Sequence, residues 1–198
     1  MEGSSNIPLE LAWASLTSAQ LPIWLDLQSG ADPSSYVIGG YIRIPGSVDA
    51  ERFERAVALV ITRNEALRLH FHERDPLQRM EFALDSPFER IDLRDAPDPE
   101  VSFRRHLEQE FPKPFDLRAH GYLFRITLIQ FHAELFYCVL HFHHLIADGM
   151  SISLVFNQIC DAYNGQSAEP RGRYSYSEFA RDDAAYLRSE RYRADLDY

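Results

Sequence analysis

At 198 residues, with 45% hydrophobic and 25% charged side chains, the chain can fill one globular core and is too apolar to be disordered over most of its length. A formal charge of −10, with 30 acidic against 20 basic residues and no basic stripe, argues against binding to a phosphate backbone. The start Met1-Glu-Gly-Ser-Ser-Asn6 lacks a signal-peptide pattern, no run of about 18 apolar residues exists, and two cysteines cannot staple a secreted fold, so a cytoplasmic protein with neither nucleic-acid nor membrane partners is expected.

Thr17 and Ser18 offer N-caps for a helix over Ala19–Leu27, which Gly30 and Pro33 end. Tyr36–Ile44 alternates apolar residues on one face and reads as a strand closed by Pro45-Gly46. Between Asp49 and Arg63, Phe53, Ala56, Val57, Val60 and Ile61 form one helical stripe facing a core. Leu67–Glu73 and Gln78–Leu84 read as a hairpin around Asp75-Pro76. The Asp- and Pro-rich section Asp85–Pro99 is mostly loop, with a short strand at Arg90–Leu93; a helix over Val101–Phe111 is ended by Pro112 and Pro114.

Tyr122–Phe131 and Glu134–Phe142 are two long strands joined near His132-Ala133, so they pair antiparallel and form the spine of the sheet. The second is apolar on both faces, as a central strand should be. Ile152, Val155, Phe156, Ile159, Cys160 and Tyr163 keep a helical period up to Asn164-Gly165. Gln166–Tyr174 is a polar linker, and Ser175–Tyr198 has helical character. Cys138 and Cys160 read as small buried hydrophobes.

The chemistry concentrates in His143-His144-Leu-Ile-Ala-Asp148-Gly149, where two imidazoles, a carboxylate and a turn glycine end one apolar strand. If the extended conformation persists, His141 and His143 point to one side of the sheet and Phe142 and His144 to the other. His144 is the candidate acid/base group, because imidazole titrates near working pH; the structural alternative is a core histidine held by a carbonyl. Asp148 is either an orienter of His144 or the N-cap of the following helix. Gly149 is expected to permit a positive φ or a close backbone approach, and with Met150 and Ser151 to leave N–H groups where developing negative charge could be stabilised. Ser151 lacks a nucleophile elbow and reads as a first-turn helix residue. His141, His143, His144 and Asp148 offer ligands for a zinc site, but the carboxylate comes too late for the usual zinc-hydrolase spacing, and no metal is expected.

These residues resemble a known family. His143-His144-Leu-Ile-Ala-Asp148-Gly149 is similar to the His-His-x-x-x-Asp-Gly signature of nonribosomal peptide synthetase condensation domains, of the chloramphenicol acetyltransferase-like superfamily. Leu16-Thr-Ser-Ala-Gln20-Leu-Pro-Ile-Trp24, Arg63-Asn-Glu65-Ala-Leu67-Arg68-Leu-His-Phe71 and Pro114-Phe115-Asp116-Leu117 resemble three further motifs of that family, in order. Asn64 stands where the family usually has His, and Pro22 lies inside the first motif.

The resemblance implies an α/β fold, an α+β two-layer sandwich with a mostly antiparallel central sheet flanked by helices. It implies that His144 projects into a tunnel where a donor acyl or peptidyl thioester meets the amine of an acceptor aminoacyl thioester, and that an amide bond forms. Both substrates arrive on phosphopantetheine arms of carrier domains, so no cofactor is bound directly. His143, Gly149, Arg68 and Arg63 are motif and supporting residues, and Asp148 is structural with Arg68 as its partner. Complete condensation domains have two lobes and about twice this length. Residues 1–170 would then be the N-terminal lobe, and 171–198 a linker and helical segment leading to the missing C-terminal lobe, with an adenylation domain downstream. The isolated lobe is expected to be inactive. A free-standing acyltransferase of the same superfamily, making esters or amides, and a non-catalytic carrier-docking module are the alternatives.

Overall fold

The computed structural model describes residues 12–81, 86–119, 121–166 and 175–196. In chain order the elements are β1 (Ala14–Ser15), α1 (Gln20–Gln28), β2 (Val37–Pro45), α2 (Ala50–Arg63), β3 (Leu69–Phe71), β4 (Leu77–Met80), β5 (Phe88–Asp92), α3 (Pro99–Glu110), β6 (Phe124–His132), β7 (Leu135–His143), α4 (Gly149–Tyr163), α5 (Tyr176–Tyr186) and α6 (Glu190–Leu196). Short 3-10 turns occupy Pro33–Tyr36 and Glu65–Arg68. The expected linker falls almost wholly outside the described residues, as does the proposed boundary at 170/171 and the end of the second hairpin strand.

The main sheet has the order β2-β7-β6-β5. β7 pairs antiparallel with both β2 and β6, from Val37 opposite His143 to Pro45 opposite Leu135 on one side and from Phe124 opposite Phe142 on the other. The expected spine is therefore present and mostly antiparallel. β5 departs from that pattern, running parallel to β6 with Phe88 opposite Ile126; α3 supplies the crossover that a parallel pair requires. The hairpin of β3 and β4 belongs to a second, three-stranded sheet, completed by β1 against β4. Leu67 and Arg68 lie in the 3-10 turn that precedes it.

β7 is apolar on both faces because both faces are covered. Phe136, Cys138, Leu140 and Phe142 join one core with Phe53, Ala56, Val57, Val60 and Ile61 of α2 and with Val155 and Ile159 of α4. The whole expected α2 stripe is buried. On the other face, Val139, Ile129 and Phe131 pack beneath Phe103 of α3. Cys138 is fully buried, its thiol pKa pushed up by desolvation, and Cys160 on α4 is half-buried; neither forms a disulfide.

β2 approaches β7 so closely that a Cβ on Gly39 would lie 1.9 Å from the Leu140 carbonyl oxygen. Only glycine fits there. α2 starts on Asp49, whose carboxylate accepts from the Arg52 amide at 2.9 Å, and α3 starts on Asp98 in the same way. At α1 the expected caps differ: Ala19 takes the N-cap position with helical dihedrals and no side-chain cap. Thr17 Oγ1 accepts from the Gln20 amide at 3.3 Å, while the Ser18 amide and hydroxyl donate to Asp183 of α5 at 2.7 and 2.6 Å.

Candidate active site

β7 delivers the histidines. His141 and His143 share the face toward α3, 1% and 0% exposed respectively, and Phe142 faces the larger core. Val37 opposite His143 is the last ladder pair. The His144 amide still donates to the Tyr36 carbonyl at 2.9 Å, and the Ile146 amide then donates back to the His143 carbonyl at 3.0 Å. This turn takes His144 off the sheet: its ring enters solvent instead of following Phe142 into the core. Among the described residues the ring makes no hydrogen bond.

His143 is a different kind of group. Its Nδ1 accepts from the Leu145 amide at 3.0 Å, which assigns the proton to Nε2, and Nε2 has no partner among the described residues. Burial first, and then the charge of His144, hold its pKa at about 4, so the ring is neutral at pH 7. It braces the turn that carries His144. It also lines a cavity of about 360 Å³ with Trp24, Leu27, Pro33, Phe115 and Leu117.

Asp148 is the N-cap of α4: Oδ1 accepts from the Ser151 hydroxyl at 2.6 Å and from its amide at 2.7 Å. Those bonds lower the carboxyl pKa. The cap alternative therefore describes it, and it makes no hydrogen bond to His144. The expected ion pair with Arg68 is absent too; extended dihedrals at Asp148 fold its carboxylate onto the helix start, while the charge of Arg68 acts on Tyr122. Arg63 is exposed in the last turn of α2, where it complements the helix dipole.

Gly149 does not have the expected positive φ. It is the first residue of α4, and a Cβ there would meet nothing within 4 Å. Met150 beside it is 74% exposed. Ser151 gives both its N–H and its O–H to Asp148, so it is neither a free nucleophile nor a charge-stabilising donor. The amides of Gly149 and Met150 donate to no group among the described residues, leaving two N–H groups at the helix start close in sequence to His144. The zinc reading finds no ligand set: among the described residues no three His, Cys, Asp or Glu side chains are gathered for an ion, and His141 packs on Phe111 at 4.3 Å.

An exposed imidazole after a central strand, a braced histidine before it and an Asp-capped helix beyond it are carried on a sheet flanked by helices. The family model described as "Condensation domain" matches residues 12–198. The chain belongs to the condensation domain family. It is 31% identical over 190 residues to a dimodular nonribosomal peptide synthase of Bacillus subtilis, covering 93% of this chain and 8% of that protein. To bacitracin synthase 3 of Bacillus licheniformis it is 32% identical over 171 residues, 84% of this chain and 3% of that one. A variant of the starter condensation domain of the rhizomide synthetase, solved in complex with C8-CoA and Leu-SNAC, superposes with a TM-score of 0.81 and 26% identity, over 89% of this chain and 42% of that chain. This condensation-family chain thus spans less than half the length of the solved domain it matches, and a small part of the curated synthetases.

One set of residues was not singled out by sequence reasoning. Gln20, buried at 5% exposure, donates from Nε2 to Gln78 Oε1 and to the Leu145 carbonyl, both at 3.0 Å, and accepts at Oε1 from the Thr17 amide and hydroxyl. Tyr176 of α5 donates to the same Gln78 oxygen at 2.9 Å. Gln20 lay in view inside the first motif. What sequence could not supply were its partners, 58 and 125 residues away.

Proposed function

We propose that this chain is the histidine-bearing N-terminal lobe of a nonribosomal peptide synthetase condensation domain, and that it contributes His144 to amide bond formation. The acceptor's amine nitrogen attacks the carbonyl carbon of the donor thioester. The new C–N bond forms as the C–S bond breaks, and the proton lost by nitrogen ends on the departing thiol. Carrier domains present both groups on phosphopantetheine, an adenylation domain supplies the acceptor, and the C-terminal lobe closes the other side of the tunnel.

The observation that carries this reading is the exposed His144 imidazole on a turn whose neighbouring backbone groups are hydrogen-bonded. A ring free of protein partners can meet the amine, and a fixed backbone holds it in place. An α-amine with a pKa of about 8 is already partly neutral at pH 7, so His144 acts on the proton released as the C–N bond forms. The Gly149 and Met150 amides would then be the donors to developing negative charge. The C8-CoA and Leu-SNAC of the related domain represent the two substrate classes, an acyl thioester and an aminoacyl thioester.

The test is single-turnover condensation by the complete domain with an acyl thioester and an aminoacyl thioester. His144→Ala should slow the chemical step by ~10²-fold or more while leaving thermal stability within about 0.5 kcal/mol, as for an exposed side chain. Equal rates for parent and variant would remove His144 from the reaction and leave a carrier-docking module.

A further inference from the structure

We infer that Gln20 is a positioning residue for His144, acting through the Leu145 carbonyl, and that Tyr176 braces Gln20 through Gln78, so that the seating of α5 is coupled to the geometry of the reaction centre. This rests on the reading of His144 as the reacting imidazole.

The Gln20 amide is filled at every position it offers. Oε1 accepts from the Thr17 amide at 3.0 Å and hydroxyl at 3.1 Å, and Nε2 donates to Gln78 and Leu145. Its orientation is fixed by chemistry, because the Thr17 N–H can only donate and the Leu145 C=O can only accept. Leu145 is the residue directly after His144. Its amide is held by the His143 ring, the next amide by the His143 carbonyl, and the His144 amide by Tyr36. All those bonds come from the strand side; among the described residues Gln20 supplies the one side-chain donor to the turn from the opposite element, α1. Without it the Leu145 carbonyl, on a residue only 3% exposed, keeps no donor among the described residues and the turn can rotate.

The second link runs to α5. Gln78 is 1% exposed, so its orientation matters energetically. Its Nε2 donates to the Ser15 carbonyl at 3.1 Å, and its Oε1 takes both Gln20 Nε2 and the Tyr176 hydroxyl. Burial pushes the Tyr176 pKa up to about 12, so the hydroxyl keeps its proton and remains a donor. Tyr176 is the first residue of α5, and α5 is tied down twice more: Ser177 donates to Glu65 from N and Oγ, both at 2.8 Å, and Asp183 accepts from Ser18. Three motif regions, around Thr17, Glu65 and Leu145, are thus joined to the start of one helix.

The experiment uses amide hydrogen exchange by NMR on the 198-residue protein, in Gln20→Met, Tyr176→Phe and Ser18→Ala variants. Gln20→Met should speed exchange at Leu145 and Ile146 by ~tenfold or more beyond any change in the β6–β7 ladder, Tyr176→Phe by a smaller factor, about threefold, and Ser18→Ala, which loosens α5 without touching the Gln20 side chain, by less than Tyr176→Phe. Exchange at the turn that merely follows the ladder in both Gln20→Met and Tyr176→Phe would overturn the inference; if Gln20→Met does not fold, Tyr176→Phe decides alone. In the complete domain, Gln20→Met should lower kcat with KM unchanged, and an unchanged kcat there, with His144→Ala inactive, would also overturn it. A silent His144→Ala would instead defeat the functional reading, while leaving the exchange result standing.

Discussion

Two imidazoles on one face of β7, His141 and His143, share the same buried surroundings. His141 and His143 each have a pKa held at about 4 against an ordinary 6.5, by burial first, and then by Arg125 beside His141 and His144 beside His143. The unfolded chain binds protons on both between pH 6.5 and 4, and the folded chain does not. The stability these neutral rings contribute is therefore complete above about pH 6.5 and falls as pH drops toward 4, by on the order of 1 kcal/mol per pH unit for each ring. Urea unfolding between pH 7 and 4.5 should show this slope, and His141→Phe should remove about half of it. An unchanged slope in His141→Phe would mean that the ring is protonated in the folded state. At this scale the sequence was informative about residue type and order; it identified the turn, the cap alternative for Asp148 and the helical place of Ser151. It did not reveal that His144 leaves the sheet, because that depends on where the β2 ladder stops.

At the scale of elements, what was legible followed from local periodicity. The stripe of α2, the spine of β6 and β7 and the period of α4 each lie within one stretch of chain, and each has its expected form. Features made by distant pairings were not legible: the parallel setting of β5, the two-residue β1 against β4, and the ties of α5 to Ser18, Glu65 and Gln78. No side-chain period within those segments encodes a partner so far along the chain. At Gly149 neither the positive φ nor the close backbone approach expected of it is present, since the residue opens α4 and a Cβ there would meet nothing within 4 Å. Two substitutions test the element contacts. Gly39→Ala forces a methyl into the Leu140 carbonyl and should cost about 3 kcal/mol or prevent folding, read as a lowered urea midpoint. Asp148→Ala removes the α4 cap and should cost about 1 kcal/mol. It should do so without the larger loss that a buried ion pair with Arg68 would entail.

For the whole molecule, the decisive quantity is the share of the solved relative that the match covers, 42%. His144 is open to water here, and a water-filled site weakens both orientation and electrostatic stabilisation. The 198-residue protein alone should condense the acyl and aminoacyl thioesters ~10²-fold or more slowly than the complete domain, with activity recovered when the other half is supplied. Equal turnover by the chain alone would mean that one lobe suffices. No helix among the described residues is long and apolar enough to cross a membrane.

The strand order has a consequence for how the protein is made. β2 and β5 leave the ribosome before either strand of the pair that must lie between them, so Val37 waits for His143 and Phe88 for Ile126. The sheet is completed by inserting its newest strands into its middle. Until they emerge, two older strands present bare peptide edges, and a nascent polypeptide stalled before Phe124 holds the arrangement most prone to stick to its neighbours.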